Sequence, residues 1–275
     1  MKSNTSKKSS GFHTKKSLGQ NFLTDPMLLG HLVDLSGIPE NAHVLEIGTG
    51  LGTLTEQLAR HCAHVSTVEI DDTLIPILQV TFSGMRNVSL IHGNIMTLDI
   101  NEITRNMRPY HVVANIPYYI TTDLLNRLIL QAEGISSISV MVQKEAAERI
   151  TALPGTEQYG MLAVVTSLYG AARVVADVPS ECFEPRPKVD SCFVTIRPYA
   201  DTKYTKEDIS TILPAARAAF QSRRKTYVNN LIGCYHVSRD EALSVIHECG
   251  LDSTIRGEEL TTDQFLQVGR ALRRS

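Results

Sequence analysis

The chain has 275 residues, 43% of them hydrophobic and 20% charged, with no tryptophan. That length allows one large domain plus a smaller one, and no apolar stretch reaches the roughly 18 to 20 uninterrupted residues that a membrane span needs. A formal net charge of −2 excludes a uniformly basic surface, so contact with phosphates would have to rest on local patches.

Such patches exist. Lys2, Lys7, Lys8, Lys15 and Lys16 lie near the N-terminus with no acid among them, Arg223-Arg224-Lys225 forms a second cluster, and Arg270, Arg273 and Arg274 close the chain. The cysteines (Cys62, Cys182, Cys192, Cys234 and Cys249) are odd in number and scattered, so neither a zinc site nor a disulfide framework is expected. The N-terminus lacks the apolar core of a secretory signal, and Lys in place of Arg argues against an organellar presequence. The expectation is a cytoplasmic, metal-free monomer.

In chain order, residues 1–17 are rich in Lys, Ser and Thr and are expected to form a disordered basic arm. A helix then begins at Pro26, with Asp25 as its cap and Gly37 as its stop. Strand and helix signals alternate from there: strand 43–47, helix 54–62, strand 65–70, helix 74–82, strands 88–92 and 111–114, helix 122–131 and strand 135–143. The strands are apolar and β-branched on consecutive positions, which suits a mostly parallel sheet covered on both faces. Two helical stretches, 145–150 and 161–169, and two strands, 172–178 and 191–197, follow. Beyond Pro198 only helices are predicted, at 209–232, 239–249 and 262–274. The reading is therefore an α/β, Rossmann-like domain over 18–200 and a small all-helical domain over 201–275.

Glu46-Ile47-Gly48-Thr49-Gly50-Leu51-Gly52 follows the first long strand and opens a helix. Glycines there let the backbone approach a ligand at a helix N-terminus. The spacing is G-x-G-x-G, since position 53 is Thr, and so departs from the G-x-G-x-x-G of dinucleotide binding. Glu69 closes the next strand, where a carboxylate can accept both hydroxyls of a ribose. Asn94 and Ile95, after the third strand, stand where an adenine edge and face would lie.

Asn115-Ile116-Pro117-Tyr118 ends the fourth strand. An exocyclic amine of adenine or cytosine is a poor nucleophile because its lone pair is delocalised into the ring. Acceptors that bind its N–H groups favour a pyramidal nitrogen with a localised pair. The Asn115 side-chain oxygen and the Ile116 carbonyl are the candidates, with Tyr118 stacked on the base. Pro117 fixes the loop and removes a competing donor. The methyl donor for such a site would be S-adenosylmethionine, with catalysis resting on in-line positioning.

With these motifs in order, the chain resembles the rRNA adenine N6-dimethyltransferase family, and within it the bacterial small-subunit (16S) branch. The resemblance runs from about Lys16 to the C-terminus. It is carried by Leu18-Gly19-Gln20-Asn21-Phe22-Leu23, the Gly-rich turn, Asn115–Tyr118 and Gln143-Lys144-Glu145. Tyr159-Gly160, the segment Phe183-Glu184-Pro185-Arg186-Pro187-Lys188-Val189-Asp190-Ser191, and Phe220–Thr226 with Asn229-Asn230-Leu231 complete it.

The resemblance implies a class I methyltransferase fold and several roles. Asn21 and Leu23 would close over the methionine part of S-adenosylmethionine, with Gly48 and Gly50 beside it. Glu69 would hold the ribose, and Asn94 with Ile95 the adenine. Asn115 would reach both the methyl region and the target amine, and Tyr118 and Phe183 would sandwich the target adenine. Without the family, Phe183 reads as a core residue. The family carries Asp where this chain has Asn94, whose amide oxygen can still accept from an adenine amine.

The implied substrate is a pair of adjacent adenosines in the 3′-terminal hairpin loop of 16S rRNA, within immature small ribosomal subunits, with a role in ribosome biogenesis. Unpaired loop bases are extruded cheaply. The N-terminal arm and Arg223-Arg224-Lys225 would meet phosphates. Four alternatives compete: an enzyme of large-subunit rRNA, an assembly factor acting by occupancy, a catalytically dead relative working as a transcription factor, and a DNA adenine methyltransferase. The 183–191 segment and the intact Asn115/Tyr118 pair favour the small-subunit enzyme.

Overall fold

A computed structural model describes residues 20–201 and 203–274; the expected basic arm, residues 1–17, lies outside the described residues. Its strands are β1 (Phe22–Leu23), β2 (His43–Ile47), β3 (His64–Glu69), β4 (Val88–His92), β5 (Tyr110–Asn115), β6 (Ile135–Gln143), β7 (Gly170–Val178), β8 (Phe183–Glu184) and β9 (Ser191–Pro198). The helices interleaved with them are α1 (Pro26–Ser36), α2 (Thr53–His61), α3 (Ile75–Thr81), α4 (Ile100–Ile103), α5 (Thr121–Gln131), α6 (Lys144–Thr151) and α7 (Met161–Tyr169). Four more close the chain: α8 (Lys206–Gln221), α9 (Tyr227–Tyr235), α10 (Arg239–Glu248) and α11 (Thr262–Leu272).

Seven strands form one sheet in the order β4-β3-β2-β5-β6-β9-β7, the first five mutually parallel, β9 antiparallel to β6, and β7 antiparallel to β9. The chain leaves β2 for β3 on one side and reaches β5 on the other. This reversal opens a crevice at the carboxyl ends of β2 and β5, where doubly wound sheets bind ligands.

The consecutive apolar residues of each strand feed two cores. Leu45, Ile47, Val112, Ala114 and Val140 pack on one face with Leu124 and Leu128 of α5. Val44, Val65, Val113, Met141 and Phe193 pack on the other with Leu29, Leu32 and Val33 of α1. Helix α1 starts as its sequence dictates: the Asp25 carboxylate accepts from Met27 N and Leu28 N, and Gly37 ends the helix in the left-handed region at φ 61°.

Helix 209–232, predicted as one piece, is two. The chain turns between Gln221 and Thr226, where Thr226 caps α9. The buried Asn230 amide donates to Ala219 O and Ser222 O, satisfying carbonyls that a continuous helix would have used. The C-terminal helices do not stand apart from the sheet domain. Ala163, Val164 and Leu168 of α7 share one core with Ala216, Tyr227 and Phe265, and the Tyr159 hydroxyl donates to Leu260 O at 3.0 Å. The short antiparallel pairing of β1 with β8, Phe22 opposite Glu184 and Leu23 opposite Phe183, was not foreseen from the sequence.

Candidate active site

The Gly-rich turn leaves β2 with Gly48 and Gly50 at φ 85° and 56°, so the backbone curls back toward β3. Gly48 N donates to Val68 O at 2.9 Å. A Cβ on Gly50 would stand 3.0 Å from the Phe22 ring, so this glycine is required by both its left-handed φ and the close approach. Glu69, at the end of β3, gathers the turn: Oε2 accepts from Gly50 N at 2.8 Å, and Oε1 from Ile70 N and Asp71 N at 2.9 and 2.8 Å. Burial pushes its carboxyl above the ordinary value, and these three backbone bonds pull it back. Oε1 already accepts two bonds and Oε2 only one, so Oε2 can still accept from one hydroxyl of a ribose.

Residues 20–23 run across the mouth. Gln20 Nε2 donates to Asp71 Oδ2 at 2.9 Å, Phe22 covers Gly50, and the Asn21 carbonyl accepts from Asn115 Nδ2 at 3.1 Å. The cleft they border is partly open to solvent and has a volume of about 100 Å³. Asn21, Leu23, Gly48, Gly50, Glu69, Asn115 and Tyr118 all line it, as do Leu51 and Ile70, which sequence reasoning passed over. Both are large apolar side chains left partly exposed at its rim. An unpaired apolar residue after Gly50 or Glu69 was the available signal.

Asn115 ends β5, opposite Met141 of β6 and one residue past the Ala114–Ile47 pair with β2. A carbonyl oxygen only accepts, so the contact to Asn21 O fixes the amide with its nitrogen toward the 20–23 segment. Oδ1 is then the group it presents as an acceptor. Tyr118 opens a short 3-10 turn and is half-buried, its hydroxyl 2.9 Å from Ser191 Oγ. Burial raises the phenol and the Ser191 bond lowers it, the net direction being up.

Three expected residues lie elsewhere. Asn94 and Ile95 do not line the cleft: Asn94 Oδ1 accepts from Met96 N at 2.9 Å, making a local turn, and Ile95 is buried in the sheet core. Phe183, only 4% exposed, packs with Leu23, Val178 and Phe193 beneath the β1–β8 ribbon. This is the core position that Phe183 reads as without the family resemblance.

The basic clusters divide in the same way. Arg223 donates to Glu258 Oε2 at 2.8 Å and to Glu157 O at 2.7 Å, tying the end of α8 to two loops, whereas Arg224 and Lys225 are exposed. Arg270 pairs with Asp208 and Arg274 with Glu248. Among the described residues, no group of three or more His, Cys, Asp or Glu could hold a metal ion, and no helix is long and apolar enough to cross a membrane.

Comparison with known proteins shows a match to ribosomal RNA adenine dimethylases over residues 11–273. The chain belongs to the ribosomal RNA adenine dimethylase family. It is 38% identical over 277 aligned positions to ribosomal RNA small subunit methyltransferase A of Enterococcus faecalis, covering 98% of this chain and 93% of that one. The same-named protein of Oceanobacillus iheyensis is 40% identical over 265 positions, covering 94% and 90%. A dimethyladenosine transferase from Plasmodium falciparum superposes with a TM-score of 0.76 at 24% identity, covering 90% of this chain and 95% of that one. The 23S rRNA methyltransferase ErmE gives 0.72 at 24%, covering 92% and 100%. These two structures share the fold.

One residue of this dimethylase had no role assigned from sequence. Glu46, at the head of the Gly-rich motif, is fully buried; Oε2 accepts from Thr55 Oγ1 at 2.6 Å and Oε1 has no partner. Burial, reinforced by the nearby Glu69 charge, pushes its carboxyl from 4.5 up to about 7 against the hydrogen bond from Thr55. The folded chain therefore holds a proton that the unfolded chain has already released. The stability this group contributes is intact below about 4.5 and is lost as pH rises through 7, a swing of about 3 kcal/mol. Glu46→Gln, a permanent mimic of the protonated form, is expected to raise Tm by several degrees at pH 8 and to leave it nearly unchanged at pH 5. A lower Tm at pH 8 would contradict this assignment.

Proposed function

We propose that this dimethylase transfers methyl groups from S-adenosylmethionine to N6 of two adjacent adenosines in the 3′-terminal hairpin loop of 16S rRNA. It would act as a cytoplasmic monomer on immature small ribosomal subunits, serving ribosome biogenesis. The observation that carries the reading is Asn115: a side-chain amide on the cleft wall, turned by the Asn21 carbonyl so that Oδ1 is its acceptor, beside the Tyr118 ring. The names of the relatives with 38% and 40% identity support the small-subunit substrate.

The residues present fit the cofactor. Glu69 Oε2 would accept one ribose hydroxyl, Gly48 and Gly50 would let backbone lie against the methionine part, and Leu51 with Ile70 would flank the adenine ring. Bound there, S-adenosylmethionine supplies an electrophilic sulfonium methyl. Asn115 Oδ1 and the Ile116 carbonyl would accept from the target N6–H groups, localising the nitrogen lone pair toward that methyl while Tyr118 holds the base by stacking. Transfer of that methyl would leave N6 with one proton to lose, which would pass to solvent. No strongly basic residue is required, and alignment is the main contribution of the protein.

The test is labelled methyl transfer offered in parallel to immature small subunits, large-subunit rRNA and duplex DNA, with product nucleosides identified by mass spectrometry. Dimethyladenosine from the small subunit alone is expected. Label in large-subunit rRNA would overturn the substrate, and tight subunit binding with no label would make the protein an assembly factor.

A further inference from the structure

We infer that Ser191 is a positioning residue for the target base, its hydroxyl tethering the Tyr118 ring at the angle stacking requires. This rests on the reading of Tyr118 as the base platform. Tyr118 sits on a three-residue turn after Pro117, half-buried, beside a Tyr119 that is 62% exposed. At the far end of this ring, the hydroxyl meets Ser191 Oγ at 2.9 Å.

The anchor is of a different kind. Ser191 begins β9 and is paired on one side with Gln143 of β6 and on the other with Val178 of β7. It is wholly inaccessible to solvent. The preceding residue pins the strand start further: Asp190 O accepts from Lys144 N at 3.1 Å, and Asp190 Oδ1 accepts from Ser180 N at 2.8 Å. Ser180 Oγ in turn accepts from Arg186 Nε at 3.1 Å. A strand paired on both sides therefore holds the hydroxyl end of a loop aromatic through a hydrogen bond of 2.9 Å. Without that bond, the ring keeps its stacking face and loses its fixed orientation. In-line transfer is sensitive to displacements of about 1 Å.

The reading makes Ser191 and Tyr118 OH two halves of one device, and this separates it from a packing role. Ser191→Ala, Tyr118→Phe and the double variant are compared for kcat and KM on small-subunit RNA, with S-adenosylmethionine affinity measured by calorimetry. Each single change is expected to lower kcat by roughly tenfold, the scale of one lost hydrogen bond, with cofactor affinity unchanged. The double variant should be no worse than either single one. Effects that multiply to roughly a hundredfold, or a Ser191→Ala protein at the wild-type rate, would overturn the tether. A crystal structure of Ser191→Ala gives an independent readout: a rotated Tyr118 ring supports the tether and an unmoved ring overturns it. Wild-type protein that leaves small-subunit RNA unlabelled would count against the substrate reading, and that structure would still decide the tether.

Discussion

Asn115→Ala is expected to lower methyl transfer by about a hundredfold to a thousandfold, the cost of removing one preorganised group aimed at the reacting atoms. Two functions disappear together. The side-chain acceptor for the target amine is lost, and so is the donor that meets the Asn21 carbonyl. The fold should survive, because Asn115 stands at the end of β5, where the strand is already passing into the cleft. Asn115→Asp separates the two functions. A carboxylate keeps an acceptor but cannot donate to Asn21 O, so two oxygens would face each other across the mouth. Its rate should fall between those of wild type and Asn115→Ala, with weakened closure of residues 20–23. Single-turnover rates beside calorimetric cofactor affinities check both statements; an Asn115→Ala enzyme within threefold of wild type would refute the assignment.

Phe183→Ala carries the second large effect, on stability and cofactor binding together. Phe183 is buried against Leu23, Val178 and Phe193, and a Phe-to-Ala change at such a site costs about 3–5 kcal/mol. The loss falls under the β1–β8 ribbon, whose partner strand is the segment that crosses the cleft. S-adenosylmethionine affinity should therefore drop by roughly tenfold or more, and denaturant midpoints should fall. A phenylalanine acting only as the second plate around a target base would leave both unchanged while lowering kcat on RNA. Presenting this ring to a base would require the ribbon to move. Urea unfolding and cofactor titration on the same variant distinguish the two roles.

Much of the sheet was legible because its strands are runs of buried, β-branched residues bounded by clear turns. Positions 43–47, 88–92 and 135–143 coincide with β2, β4 and β6. The parts that were not legible depend on side chains that satisfy backbone groups far along the chain. The break between α8 and α9 turns on the buried Asn230 amide, whose role no local periodicity reports. The β1–β8 ribbon joins segments some 160 residues apart and is too short to carry a strand pattern.

The cleft shows the same division. Gly48, Gly50, Glu69 and Asn115 could be read from local pattern, since each sits at a strand end where chain reversal and chemistry coincide. Leu51 and Ile70 were missed because a single apolar residue in a turn has no period. Ser191 lay in a recognised segment, but its chemistry appears only when β9 lies beside Tyr118. The charge clusters misled for a related reason: Arg270 and Arg274 look free in sequence, and their acids, Asp208 and Glu248, come from other helices.

The most direct test of the central claim is to map the methylated nucleotides. Small subunits lacking the hairpin modification would be incubated with the protein and S-adenosylmethionine, and the 16S rRNA 3′ end then sequenced and its fragments weighed. Two neighbouring adenines in the terminal hairpin loop, each carrying two methyl groups on N6, are expected. Methylation confined to one adenine, stopped at one methyl group, or placed outside that loop would contradict the proposed reaction.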